Sequence, residues 1–174
     1  QIGAVIADNG SEKVRLIVSG SDGTANLTLN GANTNTGGTV LNGGVLLIGE
    51  TGRLAGGGLT INGGYNSGSG ILVQQIGAVI DSSNTVTLNG TGQLFLSGQQ
   101  TLNGLVFNGS GGGSTPPTVD SGEGLLTLGA GGIVSNPLSP ARPALLVGRV
   151  DLGNAPSTIT VNTYDFNGVT DFAP

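Results

Sequence analysis

Apolar and polar residues alternate along this chain in very short runs, and one stretch states the rule most clearly. Across residues 23–64, GTANLTLNGANTNTGGTVLNGGVLLIGETGRLAGGGLTINGG, an apolar–polar–apolar triplet (Leu27-Thr28-Leu29, Leu59-Thr60-Ile61) leads into Asn-Gly, a polar turn and another short apolar run. A strand sends successive side chains to opposite faces, so the outer residues of each triplet share one face. Asn-Gly accepts the positive φ that ends such a strand. By the same alternation Val14, Leu16 and Val18 turn inward while Lys13 and Arg15 meet solvent. The pattern predicts one continuous core from Leu27, Leu29, Leu59, Ile61, Val86, Leu88, Leu94, Leu96, Leu126 and Leu128.

Taken in order, residues 1–10 (QIGAVIADNG) read as a short strand closed by an Asp-Asn-Gly turn, and residues 71–81 as a longer apolar strand region. Residues 75–80 repeat residues 1–6 letter for letter, which marks an internal repeat, 1–74 against 75–108. QLFLSGQQTLNG (93–104) parallels NLTLNGANTNTGG (26–38) with an indel. Composition shifts at residues 109–119, GSGGGSTPPTV, and all 7 prolines lie from Pro116 onward. Because LLTLG (125–129), VDLG (150–153) and TITV (158–161) resume the short-strand pattern, this is read as a surface excursion between coils. Residues 1–174 are accordingly expected to form a single segment. No stretch has helical period, and Gly or Pro punctuates nearly every ten residues.

Many short strands without helices leave two architectures, a stacked β-solenoid and an antiparallel β-sandwich. The 8 Asn-Gly pairs would suit hairpins, but several precede a further loop rather than the return strand, as in NGANTNTGG (30–38). In a solenoid the same pairs serve as corners, each Asn amide stacking on the Asn of the next coil and continuing the backbone hydrogen bonds. A narrow interior also suits Leu, Val, Ile and Ala better than aromatics. Each buried aliphatic contributes about 1.5–3 kcal/mol, which offsets the roughly 0.5–1 kcal/mol that each strand glycine costs. A right-handed parallel β-helix is therefore expected, with the sandwich as its alternative.

The stretch SGSDGTANLTLNGANTNTGGTVLNGGVLLIGETGRLAGGGLTINGG resembles the autotransporter-associated β-strand repeat through Leu27, Thr28, Leu29, Gly31, Asn33, Thr34, Thr36, Gly37, Gly38, Thr39, Gly44 and Leu46. Asn35 stands where that repeat usually has Tyr, which removes an aromatic and keeps the turn chemistry. The close likeness covers about a quarter of the chain, and residues 93–112 and 144–161 are similar to the looser sequence between such repeats. What the resemblance implies is a right-handed parallel β-helix in a large secreted or surface-displayed bacterial protein, with no catalytic residues to carry over.

Composition narrows the chemistry. The chain has 174 residues, 35 Gly, 9% charged residues, no Cys and no His. Disulfides, thiol or Ser-His-Asp catalysis and His/Cys metal sites are thereby excluded. Ten Asp and Glu against 5 Lys and Arg leave no electrostatic footprint for nucleic acid. No apolar run approaches the roughly 18 residues of a membrane helix. The carboxylates Asp81, Asp120, Glu123, Asp151, Asp165 and Asp171 are scattered singly among turns. A glycosidase needs two held roughly 5–10 Å apart beside a sugar cleft. Residues 8–12 (DNGSE) offer hard oxygens for calcium but lack the remaining loop positions, so a solvated turn capped by Asp8 and Asn9 is expected instead. Four N-glycosylation triplets, at Asn9, Asn26, Asn89 and Asn108, are expected by chance in so Asn/Thr-rich a chain. Arg53 is expected to pair with its neighbour Glu50 or with water.

The first residue is Gln1 with no signal segment after it, so the chain is expected to be a mature or excised piece of something longer. The expected role is structural and non-catalytic, with no cofactor: a stiff solenoid segment of an extracellular or cell-surface stalk or fibre. An adhesin that holds extracellular glycans is the alternative, and a polysaccharide-cleaving enzyme a remote one. Neither end shows a cap, so head-to-tail association is expected, through Ile2 and Val5 at one end and Phe166 and Phe172 at the other.

Overall fold

The computed structural model describes residues 1–20, 26–63, 72–75, 79–109, 115–137, 143–153 and 156–162. Among them the chain forms strands and no helix: β1 (Leu16–Val18), β2 (Asn26–Leu29), β3 (Thr39–Leu41), β4 (Val45–Ile48), β5 (Arg53–Leu54), β6 (Leu59–Asn62), β7 (Leu72–Gln75), β8 (Val79–Ile80), β9 (Thr85–Asn89), β10 (Gln93–Phe95), β11 (Gln99–Asn108), β12 (Thr118–Asn136), β13 (Leu145–Asp151) and β14 (Ile159–Val161). Every pairing between these strands is parallel, and each strand lies on its counterpart from the coil before. The fold is a parallel β-solenoid, not a sandwich.

Three ladders wall the coil. One stacks β2, β4, β7, β10 and the openings of β12 and β13. A second stacks β5 on β8 and, across a step bridged by the Gln100 side chain, residues 99–102 of β11, 125–128 of β12 and 149–151 of β13. The third stacks β1, β3, β6, β9, the second halves of β11 and β12, and β14. Long strands such as β12 turn the corner between ladders without a break, and register shifts mark the bend, as between Asp120 and Leu125. Equivalent letters meet in space: Leu27, Leu46 and Leu94 fall in one column of the first ladder, and Ile61 stacks on Leu88 in the third.

The period-2 alternation sends its apolar members into the bore. Leu29, Leu59, Ile61, Val86, Leu88, Leu94, Leu96, Leu126 and Leu128 are buried there together with Leu41, Leu46, Ile48, Leu54, Ile80, Leu102, Leu105, Phe107 and Val119. Leu27 is only partly buried, because the coil beneath it touches this ladder through a single bridge, Ile2 to Leu29. Glycine lets the coils close up at the corners. Gly38 sits at φ 81 where an added Cβ would lie 2.4 Å from the Gly57 carbonyl oxygen, so both its conformation and its space require the missing side chain.

Three local expectations are corrected. Residues 1–10 form no strand: with a neighbour on one side only, they contribute the Ile2 bridge and then a turn in which Asn9 and Glu12 exchange both backbone hydrogen bonds. Of the second copy of QIGAVI, Gln75 ends β7 on the first ladder and Val79–Ile80 form β8 on the second, while residues 76–78 lie outside the described residues. In the first copy Ile2 lies beside the first ladder and Ile6 is hydrogen-bonded to Asn33 on the second. The excursion is shorter than 109–119, for Thr118 and Val119 are already buried in β12 and Gly109 N–H bonds to the Asn136 carbonyl; residues 110–114 lie outside the described residues.

Leu88 lies at the centre of the bore and is fully buried. Leu88→Ala should cost about 2–5 kcal/mol in urea unfolding. Leu88→Asp should abolish the folded state, because an unpaired carboxylate cannot be held there. Unchanged stability of Leu88→Asp would disprove the inward placement.

Candidate functional site

The strongest side-chain constellation is not a cleft but a line. At the end of every third-ladder strand from β3 onward stands an asparagine (Ser19 follows β1), and their side chains bond in series. Asn62 Nδ2 donates to Asn42 Oδ1 at 2.6 Å, Asn89 to Asn62 at 2.6 Å, Asn108 to Asn89 at 2.8 Å and Asn136 to Asn108 at 2.7 Å, and Asn162 donates to Asn136. Each amide between the two ends of the row donates toward the preceding coil and accepts from the following one. The side chains thus add a hydrogen-bonded row parallel to the backbone ladder, where Gly63, Gly90 and Gly109 N–H bond to the carbonyls of Asn89, Asn108 and Asn136.

On the second ladder buried amides stand in for strand backbone. Asn33 accepts from Ile6 N–H and donates to the Arg53 carbonyl, so it joins the coil below to the coil above. Asn84 accepts from Gly58 N–H and donates to Ala55 and Asp81 carbonyls. Gln100 exchanges both bonds with Ile80. Asn35, at the position that carries Tyr in the resembled repeat, is buried and donates to the Val14 carbonyl.

No family model, curated protein or solved structure matches this chain. What it can do chemically is therefore read from its own residues.

The candidate calcium turn is occupied by protein donors. Asp8 Oδ1 accepts from Val14 and Thr36 N–H at 2.8 and 2.9 Å, and Oδ2 from the Thr36 hydroxyl at 2.7 Å. Asp8 thus caps its own turn and pins the next coil, while Asn9 caps through its backbone. These donors, the Val14 N–H foremost, hold the Asp8 carboxyl below its usual value.

Arg53 does not pair with Glu50. Its guanidinium meets Asp81, 28 residues on, because the residue one coil away lies alongside while a turn neighbour points elsewhere. Asp81 also accepts from the Ser83 hydroxyl and N–H, and those bonds, then Arg53, lower its pKa. Asp120 and Asp151 each accept from the N–H two residues on, Gly122 and Gly153, and Glu123 is exposed. Asp165 and Asp171 lie outside the described residues. Among the described residues no three acidic side chains gather to hold a metal ion, and no helix is long and apolar enough to cross a membrane. Asn89 and Asn108, two of the glycosylation triplets, are spent in the ladder. A shallow open groove of about 380 Å³ runs between Arg53, Asp81, Ser82, Gln99, Thr101 and Thr127.

Sequence reasoning named Asn33 only as a match to the repeat and did not single out Asn84 or Gln100. Their signal is a buried amide where alternation expects an apolar side chain: Asn33 and Asn84 lie between strands and Gln100 near the start of β11.

Two outcomes follow from these bonds. Asn89→Leu strands the Asn62 oxygen and the Asn108 amide at once and should cost about 1–3 kcal/mol in urea unfolding. Asn162→Ala, at the exposed end of the row, should change stability by no more than about 0.5 kcal/mol. Equal effects would show that the row does not act in series.

The second concerns acid. Asp8 and Asp81 both have lowered pKa values, so their contribution is whole above the usual aspartate value near 3.8 and disappears as pH falls through the lower folded values. The urea midpoint should therefore drop below about pH 4, and Asp81→Asn should flatten that drop. An identical acid slope in the variant would rule Asp81 out as a contributor.

Proposed function

We propose that this chain is a non-catalytic structural segment of an extracellular or cell-surface stalk or fibre, of the autotransporter-associated β-strand repeat kind, which continues head to tail. The observation that carries this reading is the pair of strand edges that the described residues leave unpaired at the two tips. The core columns reach the last coil in register, where Ile159 and Val161 stand over Ile133 and Ser135 and are 56% and 67% exposed. At the other tip Ile2, Ile6, Leu16 and Val18 are only partly buried, and Val5 is 57% exposed. Among the described residues β1 pairs only with β3, and β14 only with β12, so within them each tip leaves a strand edge without a partner beside an apolar ring. An edge of that kind accepts another parallel coil, supplied by a longer chain or by a second copy. Phe166 and Phe172 lie outside the described residues, and the apolar surface invoked here is that of Ile159 and Val161 instead.

A glycan-binding module is the second reading, favoured by the groove beside Arg53 and Asp81 with its amide and hydroxyl lining. It has no aromatic platform among those residues, so it stands behind the first.

Sedimentation and electron microscopy of the purified chain test the structural reading. Self-association that lengthens particles in one direction is expected, and Val161→Lys should weaken it about tenfold or more, since that takes only about 1.4 kcal/mol at the junction. A chain that stays monomeric at high concentration overturns the head-to-tail step. Reproducible hits on a glycan array, lost in Asp81→Ala, would promote the binding module.

A further inference from the structure

Asn-Gly is chemically fragile, because glycine leaves its backbone nitrogen free to attack the asparagine side chain. The chain carries 8 such pairs, and the packing treats them unequally. At Asn62, Asn89 and Asn108 the side-chain amide donates along the ladder, and the N–H of Gly63, Gly90 and Gly109 is bound to the next coil at 2.8, 2.9 and 3.1 Å. The nitrogen that would attack is held, and releasing it means opening the coil. Gly31, Gly43 and Gly104 are crowded instead: an added Cβ would come within 2.2, 2.0 and 2.8 Å of Ala4, Gly20 and Gly131 backbone atoms.

Asn9-Gly10 is the exception among the described pairs. Both residues are exposed, Gly10 has φ 63, and nothing lies within 4 Å of its missing Cβ. Among the described residues neither the Gly10 N–H nor the Asn9 side chain makes a hydrogen bond, although the Asn9 backbone is tied to Glu12 at both ends.

We propose that Asn9-Gly10 is a site of spontaneous deamidation and that the asparagine ladder shields its own Asn-Gly pairs from the same reaction. Hydroxide takes the Gly10 amide proton, and the nitrogen attacks Asn9 Cγ. The new N–Cγ bond closes a five-membered succinimide while the Cγ–Nδ2 bond breaks, and Nδ2 takes a proton from water and leaves as ammonia. Water then opens the ring at one carbonyl or the other to give aspartate or isoaspartate at position 9. The net change consumes one water, releases ammonia and involves no oxidant or reductant. Either product places a negative charge between Asp8 and Glu12, and isoaspartate also lengthens the turn through which Asp8 holds Val14 and Thr36. The first coil would thereby record the age of the molecule, whatever the chain's larger role.

Peptide mapping by mass spectrometry, after incubation of the intact folded chain in mildly alkaline buffer, tests this. Position 9 should convert at least about tenfold faster than 62, 89 and 108 in the folded chain, while in guanidinium the four rates should converge. Asn9→Gln should abolish the early acidic shift on isoelectric focusing. Conversion of the ladder asparagines at the rate of Asn9 in folded protein would overturn the shielding. An Asn9 that survives in folded protein while reacting in the unfolded control would overturn the site.

Discussion

A parallel solenoid coil has no hydrogen-bond partners of its own. Every strand N–H and carbonyl must find its mate in the coil above or below, so the whole structure depends on coils that stay in register. A slip of one residue would turn a bore-facing leucine outward and an exterior threonine in. The asparagine row from Asn42 to Asn162 guards against that slip, because each amide fits only the asparagine at the same station of the next coil. Where the second ladder narrows to the two-residue strands β5 and β8, Asn33, Asn84 and Gln100 supply buried amides that reach across to neighbouring backbone. Register is thus held by side chains where backbone pairing is thinnest.

The same requirement explains the composition. The bore is filled by Leu, Ile and Val with one buried aromatic among the described residues, Phe107. A larger ring at most stations would push adjacent coils apart and lengthen the ladder bonds it depends on. Corners face the opposite demand, since backbones there approach so closely that a Cβ at Gly38 would strike Gly57. Scarce aromatics and abundant glycine are two sides of one constraint.

The bore was legible from the sequence because alternation is a local property: a triplet such as Leu59-Thr60-Ile61 declares its inward face without reference to the rest of the chain. The Asn-Gly corners were legible for a similar reason, once the residues after them failed to make a return strand. Asn stacking on Asn was legible as a kind of contact, but which individual side chains meet across coils was not. Arg53 and Asp81 are 28 residues apart, as are Asp8 and Thr36, while Gln100 and Ile80 are 20 apart. The turn neighbour Glu50 looked nearer to Arg53 only along the chain.

The asparagine row shows why no fixed period could be read. Its steps are 20, 27, 19, 28 and 26 residues, from Asn42 through Asn62, Asn89, Asn108 and Asn136 to Asn162. Adding residues at a corner costs little, because loop closure entropy grows only slowly with length. Adding one inside a strand would instead shift every later station in that coil. Corners therefore vary freely and strands do not, and the repeat persists in space after it has blurred in sequence. What is kept from coil to coil is a station: two inward positions, mostly apolar, then an asparagine that finds the next asparagine.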